Sequence, residues 1–164
     1  MDFDVTVEIP RGTRNKYEVD TRTYQIRLDR TLFTATQYPA DYGFIDDTLA
    51  GDGTALDALV LVQEPTFPGC VVLSRAIGMF RMHDEQGATP KVLCVPSADH
   101  RAAYLQDVTD LDRFLLLEIK HFFEVYKAVE PGKSVQIDDD PWVGRAEAEA
   151  EITRSFERAR ARAA

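Results

Sequence analysis

Asp57-Ala58-Leu59-Val60-Leu61-Val62, then Glu64-Pro65-Thr66-Phe67-Pro68-Gly69, then the run from Val71 to Met82: this succession decides the fold. The first and last stretches are apolar, β-rich and of strand length, and the segment between them carries the proline and glycine of a turn. Lys91 to Val95 is a further strand, expected to pair with Val71–Met82 across the Asp84-to-Pro90 loop. Towards the N-terminus, Val5 to Ile9, Lys16 to Asp20 and Tyr24 to Asp29 are short alternating or β-rich runs. Pro10-Arg11-Gly12 and Thr21-Arg22-Thr23 separate them, which predicts a strand followed by a hairpin. Sequential antiparallel strands of this kind close into a small barrel.

Towards the C-terminus the period changes. Leu111, Phe114, Leu115, Ile119, Phe122, Phe123 and Tyr126 recur at spacings of three and four, the stripe of an amphipathic helix. Thr109 or Asp110 is the expected cap, and Pro131-Gly132 the expected end. A second helix, Arg145 to about Arg162, has only Ile152 and Phe156 as large apolar anchors, as expected of a surface helix or one docking on a neighbouring subunit. With no repeat and no linker, residues 1–164 read as a single α+β domain, a closed antiparallel β-barrel with two flanking helices.

Apolar residues are 45% of the chain and charged residues 29%, so the chain can bury a core and is not a disordered segment. No apolar run approaches the roughly 18 residues of a membrane helix, and Met1-Asp2-Phe3-Asp4 lacks the basic and apolar regions of a signal peptide, so a cytoplasmic protein without membrane attachment is expected. A net charge of −9 opposes a polyphosphate backbone and argues against nucleic acid. A small phosphate compound is still compatible with it when divalent cations sit between carboxylates and anion. Cys70 and Cys94 have no CxxC spacing and read as small buried hydrophobes. His83, His100 and His121 show no metal-ligand spacing, Trp142 reads as a packing or interface residue, and Asp138-Asp139-Asp140 as a solvated loop.

Glu8, Lys16, Glu18 and Arg30 lie on or beside the early strands, with Lys16 and Glu18 on one face; alone, such a set is an ion-paired strand surface. Asp52, in the Gly-rich turn Gly51-Asp52-Gly53, and Asp57, at the start of an apolar strand, are more telling. A carboxylate at the position of Asp57 is half desolvated and calls for a cation. Mg²⁺, which takes one or two carboxylates plus waters and substrate phosphate, suits such loop acids.

Tyr38-Pro39-Ala40-Asp41-Tyr42-Gly43-Phe44-Ile45 and Gly51 through Val60, preceded by Glu8-Ile9-Pro10 and Lys16-Tyr17-Glu18, are followed by Met82-His83-Asp84-Glu85 and His121-Phe122-Phe123-Glu124-Val125-Tyr126-Lys127. In order and spacing, from about residue 2 to residue 158, the chain resembles the family I soluble inorganic pyrophosphatases, the actinobacterial members especially. The resemblance implies an OB-like barrel, Mg²⁺-dependent hydrolysis of pyrophosphate to phosphate, and assembly as a homo-oligomer, commonly a hexamer. It places Glu8, Asp52, Asp57 and Asp84 as metal ligands, and Asp52, Asp57, Asp84 and Tyr42 in the catalytic group. Lys16, Arg30, Tyr38, Lys91, Tyr126 and Lys127 would hold the phosphoryl units, with Glu18 in the same cavity.

Two positions depart from that pattern. Where the family's loop usually reads Asp-Gly-Asp-Pro, this chain reads Asp52-Gly53-Thr54-Ala55, so Thr54 stands at the position that the resemblance gives to the general base. Thr89, two residues before Lys91, stands at the position of a metal-bridging carboxylate. A threonine hydroxyl donates or accepts a hydrogen bond but takes up no proton at pH 7. Slow or absent hydrolysis of pyrophosphate is the expected result; the alternatives are a repurposed enzyme acting on an organic phosphate or diphosphate, and a non-catalytic phosphate-binding paralogue.

Overall fold

A computed structural model describes residues 1–164. The strands are β1 (Asp2–Ile9), β2 (Asn15–Val19), β3 (Ile26–Thr31), β4 (Asp41–Ile45), β5 (Asp57–Val60), β6 (Val71–Phe80), β7 (His83–Asp84), β8 (Gly87–Ala88), β9 (Lys91–Pro96), β10 (Val135–Gln136) and β11 (Trp142–Gly144). The helices are α1 (Arg113–Val125) and α2 (Arg145–Ala163). The order β1-β4-β5-β9-β6 returns from β6 to β1, closing a five-stranded OB-like barrel, and β11 extends β6. The ten residues of β6 let it serve two neighbours, β1 along its first half and β9 along its second.

Two expectations are corrected here. The barrel is not antiparallel throughout: β5 and β9 run parallel, with Asp57 opposite Lys91 and Val60 opposite Cys94. β6 leaves the end of β5 and pairs with β1 and β9 instead of turning back on β5, so β9 fills the place beside β5 in the same direction. Helix α1 begins later and ends sooner than expected. Asp112 caps it, accepting from the Phe114 N–H, while Thr109 and Asp110 belong to a preceding 3₁₀ turn (Val108–Asp110) capped by Asp107. It ends at Val125, well before Pro131, and Ala128 and Glu130 continue the chain in tight turns by donating to Val125 and Lys127.

Side chains from both faces of the central strands are buried. Leu59 and Leu93 join Ile9, Tyr38, Phe80, Ile119, Phe122 and Phe123 in one cluster, and Ala58, Val60, Val92 and Cys94 join Val5, Ile45, Ala148 and Ile152 in another. This explains why β5 and β9 read as continuous apolar runs. Helix α2 is seated by Ala148, Ile152 and Ser155, with Phe156 partly buried. Phe114, expected in the α1 stripe, is 75% exposed. At about 100° per residue it lies nine positions, close to half a turn, from Phe123. Trp142 packs on Phe80 with ring centroids 4.9 Å apart. Cys94 is buried, with its thiol pushed up to about 12 by burial, whereas Cys70 is only half-buried.

Irregularities in the strands position the site. Val7 pairs with Gly43 and Ile9 with Tyr42, leaving Glu8 as the extra residue of a bulge that re-aims its side chain. In the separate β2–β3 sheet, Lys16 pairs with Arg30 and Tyr17 with Leu28, so Asp29 is the extra residue there. Gly43 allows β1 and β4 to approach: a Cβ at that position would stand 2.0 Å from the Thr6 carbonyl oxygen.

Candidate active site

The bulge at Glu8, the β2–β3 hairpin, the facing starts of β5 and β9, the β7–β8 turn and the C-terminal end of α1 enclose a cavity of about 510 Å³. Of the twelve residues that the sequence singled out, Glu8, Lys16, Glu18, Arg30, Tyr38, Tyr42, Asp57, Asp84, Lys91, Tyr126 and Lys127 line it; Asp52 does not. Asp52 is exposed in its loop, where its Oδ1 accepts from the Thr54 N–H (3.0 Å) and hydroxyl (2.7 Å). Thr54 and Thr89 both line the cavity.

The parallel register puts Asp57 and Lys91 side by side. The Lys91 ammonium, almost fully buried, donates to Asp57 Oδ2 (2.6 Å) and to the Thr89 hydroxyl (2.7 Å). The cation that the half-desolvated Asp57 required is therefore, in part, a lysine. Lys127 lies 3.4 Å from Asp84 and 3.5 Å from Glu85. On the opposite side, Lys16 is 3.3 Å from Asp29 and 3.9 Å from Glu18, and Arg30 contacts both Asp29 and Glu130. Tyr38, Tyr42 and Tyr126 form an aromatic floor with Phe122 and Phe123, at centroid separations from 4.7 to 6.4 Å.

Five basic and five acidic side chains line the cavity, so it is formally neutral in a chain of net charge −9. The acidic excess lies elsewhere, and a small anion is not turned away. Burial, and after it the nearby acids Asp57 and Glu18, pushes the Glu8 carboxyl up to about 7, against the lowering effect of the Val19 N–H that donates to it at 2.8 Å. Burial likewise raises the phenols of Tyr38, Tyr42 and Tyr126, so each remains a protonated donor at neutral pH. Glu85 is drawn down to about 2, first by its own backbone N–H and then by that of Ser134 and the ammonium of Lys127.

No three His, Cys, Asp or Glu side chains converge into a ready-made cation cage. Mg²⁺ does not require one: it keeps waters and takes one or two carboxylates together with phosphate oxygens. Glu8, Asp57 and Asp84 in one cavity fit that demand. Sequence reasoning gave no role to Glu85, Lys133, Asp29 or Glu130, although the first two line the cavity and the others hold residues that do. Glu85, next to Asp84 in the run Met82–Glu85, and Asp29, beside Arg30 on an alternating strand, carried a signal; Glu130, in an irregular turn, carried none.

The fold and cavity define an OB-like barrel with a polar cavity lined by lysines, an arginine and carboxylates, with equal numbers of positive and negative charges. The inorganic pyrophosphatase family model matches residues 5–160. The inorganic pyrophosphatase of Streptomyces coelicolor is 63% identical over 158 residues, 96% of each chain, and that of Corynebacterium glutamicum 52% identical over 149 residues, 91% of this chain and 92% of the relative. The crystal structure of the Thermus thermophilus inorganic pyrophosphatase superposes with a TM-score of 0.93 at 43% identity, covering 97% of this chain and 91% of that one. The chain belongs to the inorganic pyrophosphatase family.

Proposed function

We propose that this protein hydrolyses inorganic pyrophosphate to two phosphates with Mg²⁺, at a rate lowered by the threonines at positions 54 and 89, as a cytoplasmic homo-oligomer, a hexamer by family likeness. The observation that carries the reading is the single cavity in which Lys16, Arg30, Lys91 and Lys127 face Glu8, Asp57 and Asp84. The four cations and the Tyr38, Tyr42 and Tyr126 hydroxyls bind and orient the two phosphoryl groups, and the cations offset charge that builds on the leaving phosphate. Bound Mg²⁺ would supply shielding of phosphate charge and an acidified water; Glu8, Asp57 and Asp84 are the residues that would hold it, with Asp52 joining them if its loop turns inward. No helix of the chain is long and apolar enough to cross a membrane. Exposed Phe114 and Leu117 on α1 offer apolar surface for self-association.

Thr54 and Thr89 shape the rate. Both hydroxyls are engaged, Thr54 donating to Asp52 and Thr89 accepting from Lys91, and neither can receive a proton from an attacking water. The same two residues favour the second reading, in which the cradle binds an organic phosphate or diphosphate, or binds phosphate without turnover. Phosphate release from Mg²⁺-pyrophosphate by the natural chain and by the Thr54→Asp/Thr89→Asp variant decides between them. Release by the natural chain is expected, with the variant faster by about 10²- to 10⁴-fold, the usual worth of a positioned general base. A folded variant no faster than the natural chain would show that the threonines do not limit the reaction, and no release from either would leave binding or another substrate.

A further inference from the structure

The β2–β3 hairpin carries Lys16, Glu18 and Arg30, yet it forms a sheet of its own and shares no strand pairing with the barrel. Five of the six β3 residues are exposed. Two polar contacts of residues 15–31 reach other parts of the molecule: the Val19 N–H to Glu8, and Arg30 to Glu130. The others stay inside the hairpin or reach the adjoining Thr13.

Glu130 sits three residues after Lys127, in the turn whose backbone is closed by the Glu130 N–H donating to the Lys127 carbonyl (3.1 Å). Its side chain is only 5% exposed, while Val129, Pro131, Gly132 and Lys133 around it are exposed. One carboxylate oxygen lies 2.7 Å from Arg30 Nε, an ion pair by distance whose N–H is not aligned as a hydrogen bond; the other is buried without any donor. A glutamate in a surface turn gains nothing by burying an unsatisfied oxygen, since turning outward would hydrate it. Attraction to the guanidinium is what the structure offers in return. Asp29 also contacts Arg30, but it lies on the same hairpin and cannot fix that hairpin to anything else. Arg30 Nη1 donates to Asp29, and Nη2 makes no hydrogen bond within the protein.

We propose that Glu130 is a positioning residue: its buried carboxylate holds Arg30, and through Arg30 the β2–β3 hairpin, against the turn that presents Tyr126 and Lys127. This rests on the reading of Arg30 as a phosphate-binding group. Two sides of the cavity, far apart in sequence, are thereby brought to a fixed separation, as binding a two-phosphate anion requires.

The test compares Glu130→Ala, Glu130→Gln, Arg30→Ala and the Arg30→Ala/Glu130→Ala double variant with the natural chain by hydrogen exchange over residues 15–31 and by calorimetric affinity for inorganic phosphate with Mg²⁺. Glu130→Ala is expected to speed exchange in the hairpin while leaving β5 and β9 unchanged. It should also weaken phosphate by about tenfold, the scale of one charge-assisted contact. Glu130→Gln, which keeps an oxygen beside Arg30, should fall between. In the Arg30→Ala background, Glu130→Ala should change phosphate affinity by less than about twofold, because the coupling partner is gone.

Unchanged hairpin exchange in Glu130→Ala would overturn the proposal, as would tighter phosphate binding or an equal loss with and without Arg30. Should Glu130→Ala fail to fold, the exchange of Glu130→Gln decides. If the natural chain neither hydrolyses pyrophosphate nor binds phosphate, the functional reading falls, and hairpin exchange alone still decides whether Glu130 holds Arg30.

Discussion

The two sides of the cavity are built by different means. On the barrel side, Tyr42, Asp57 and Lys91 stand on strands paired to both neighbours, above a core in which Leu59, Leu93 and Phe123 are fully or almost fully buried. Their separations are set by backbone register, as the 2.6 Å contact of Asp57 with Lys91 across a parallel pair illustrates. On the hairpin side, Lys16, Glu18 and Arg30 stand on a two-stranded sheet with exposed Ile26 and Leu28, and side-chain bonds set their positions. A charge fixed by register and burial acts in a medium of low polarisability, where it costs no reorganisation; a charge on a more exposed hairpin is more strongly screened. The barrel side should therefore supply most of the transition-state stabilisation and the hairpin side a smaller, more strongly screened share.

The strongest challenge to that contrast is to remove one lysine from each side. Lys91→Ala should lower kcat for pyrophosphate by about 10²- to 10³-fold, the scale of a lost buried electrostatic group. Lys16→Ala, on a side chain 27% exposed, should lower it by only about tenfold, the scale of one partly screened charge. Steady-state kinetics beside circular dichroism measures both, and equal losses would erase the distinction.

Stability offers a second test. Gly43→Ala forces a Cβ into the Thr6 carbonyl where β1 meets β4, and should cost about 3 kcal/mol or more because backbone has to move. Leu28→Ala on the hairpin, at a side chain 52% exposed, should cost under about 0.5 kcal/mol. Urea titration of the two variants reads the difference directly. A Gly43→Ala protein as stable as the natural chain would mean that the barrel yields more easily than its pairing implies.

The same contrast explains what was legible in the sequence. Alternation in Lys16–Asp20 and Tyr24–Asp29 and the apolar runs at Asp57 and Val71 are local signals, and they located the hairpin and barrel strands. The resemblance then located most of the cavity's polar residues, but not Tyr17, Glu85, Gln86 or Lys133. The parallel pairing of β5 with β9 was not legible, because 34 residues separate Asp57 from Lys91 and strand propensity does not record direction. Strand β4 was masked by the Gly43 in its middle, a residue that weakens strand propensity while allowing the close approach of β1. The cap of α1 was missed because Asp107, Thr109, Asp110 and Asp112 are all cap-forming residues in succession, and tertiary context chose among them. Glu130 had no local signal, since its role depends on Arg30, a hundred positions away.

Glu8 joins the two sides, and its titration should separate their responses. Its carboxyl has an ordinary value of 4.5 and is raised to about 7 in the folded chain, chiefly by burial. The folded chain then binds this proton more tightly than the unfolded chain, so the linked stabilisation is fully present below about pH 4.5 and is lost as pH rises through 7. Without divalent cations, the natural chain should therefore lose a few degrees of melting temperature relative to Glu8→Gln between pH 5 and 8, at about 2–4 °C per kcal/mol for a chain of this size. The hairpin should respond in the opposite sense. The Val19 N–H donates to Glu8 Oε2, and a charged acceptor binds that N–H more strongly than a neutral one. Exchange at the Val19 amide, corrected for the intrinsic effect of pH, should slow as Glu8 ionises even while global stability falls. Parallel pH dependence of the two measurements would mean that Glu8 does not clamp the hairpin, leaving the Arg30–Glu130 contact and packing to hold it to the rest of the chain.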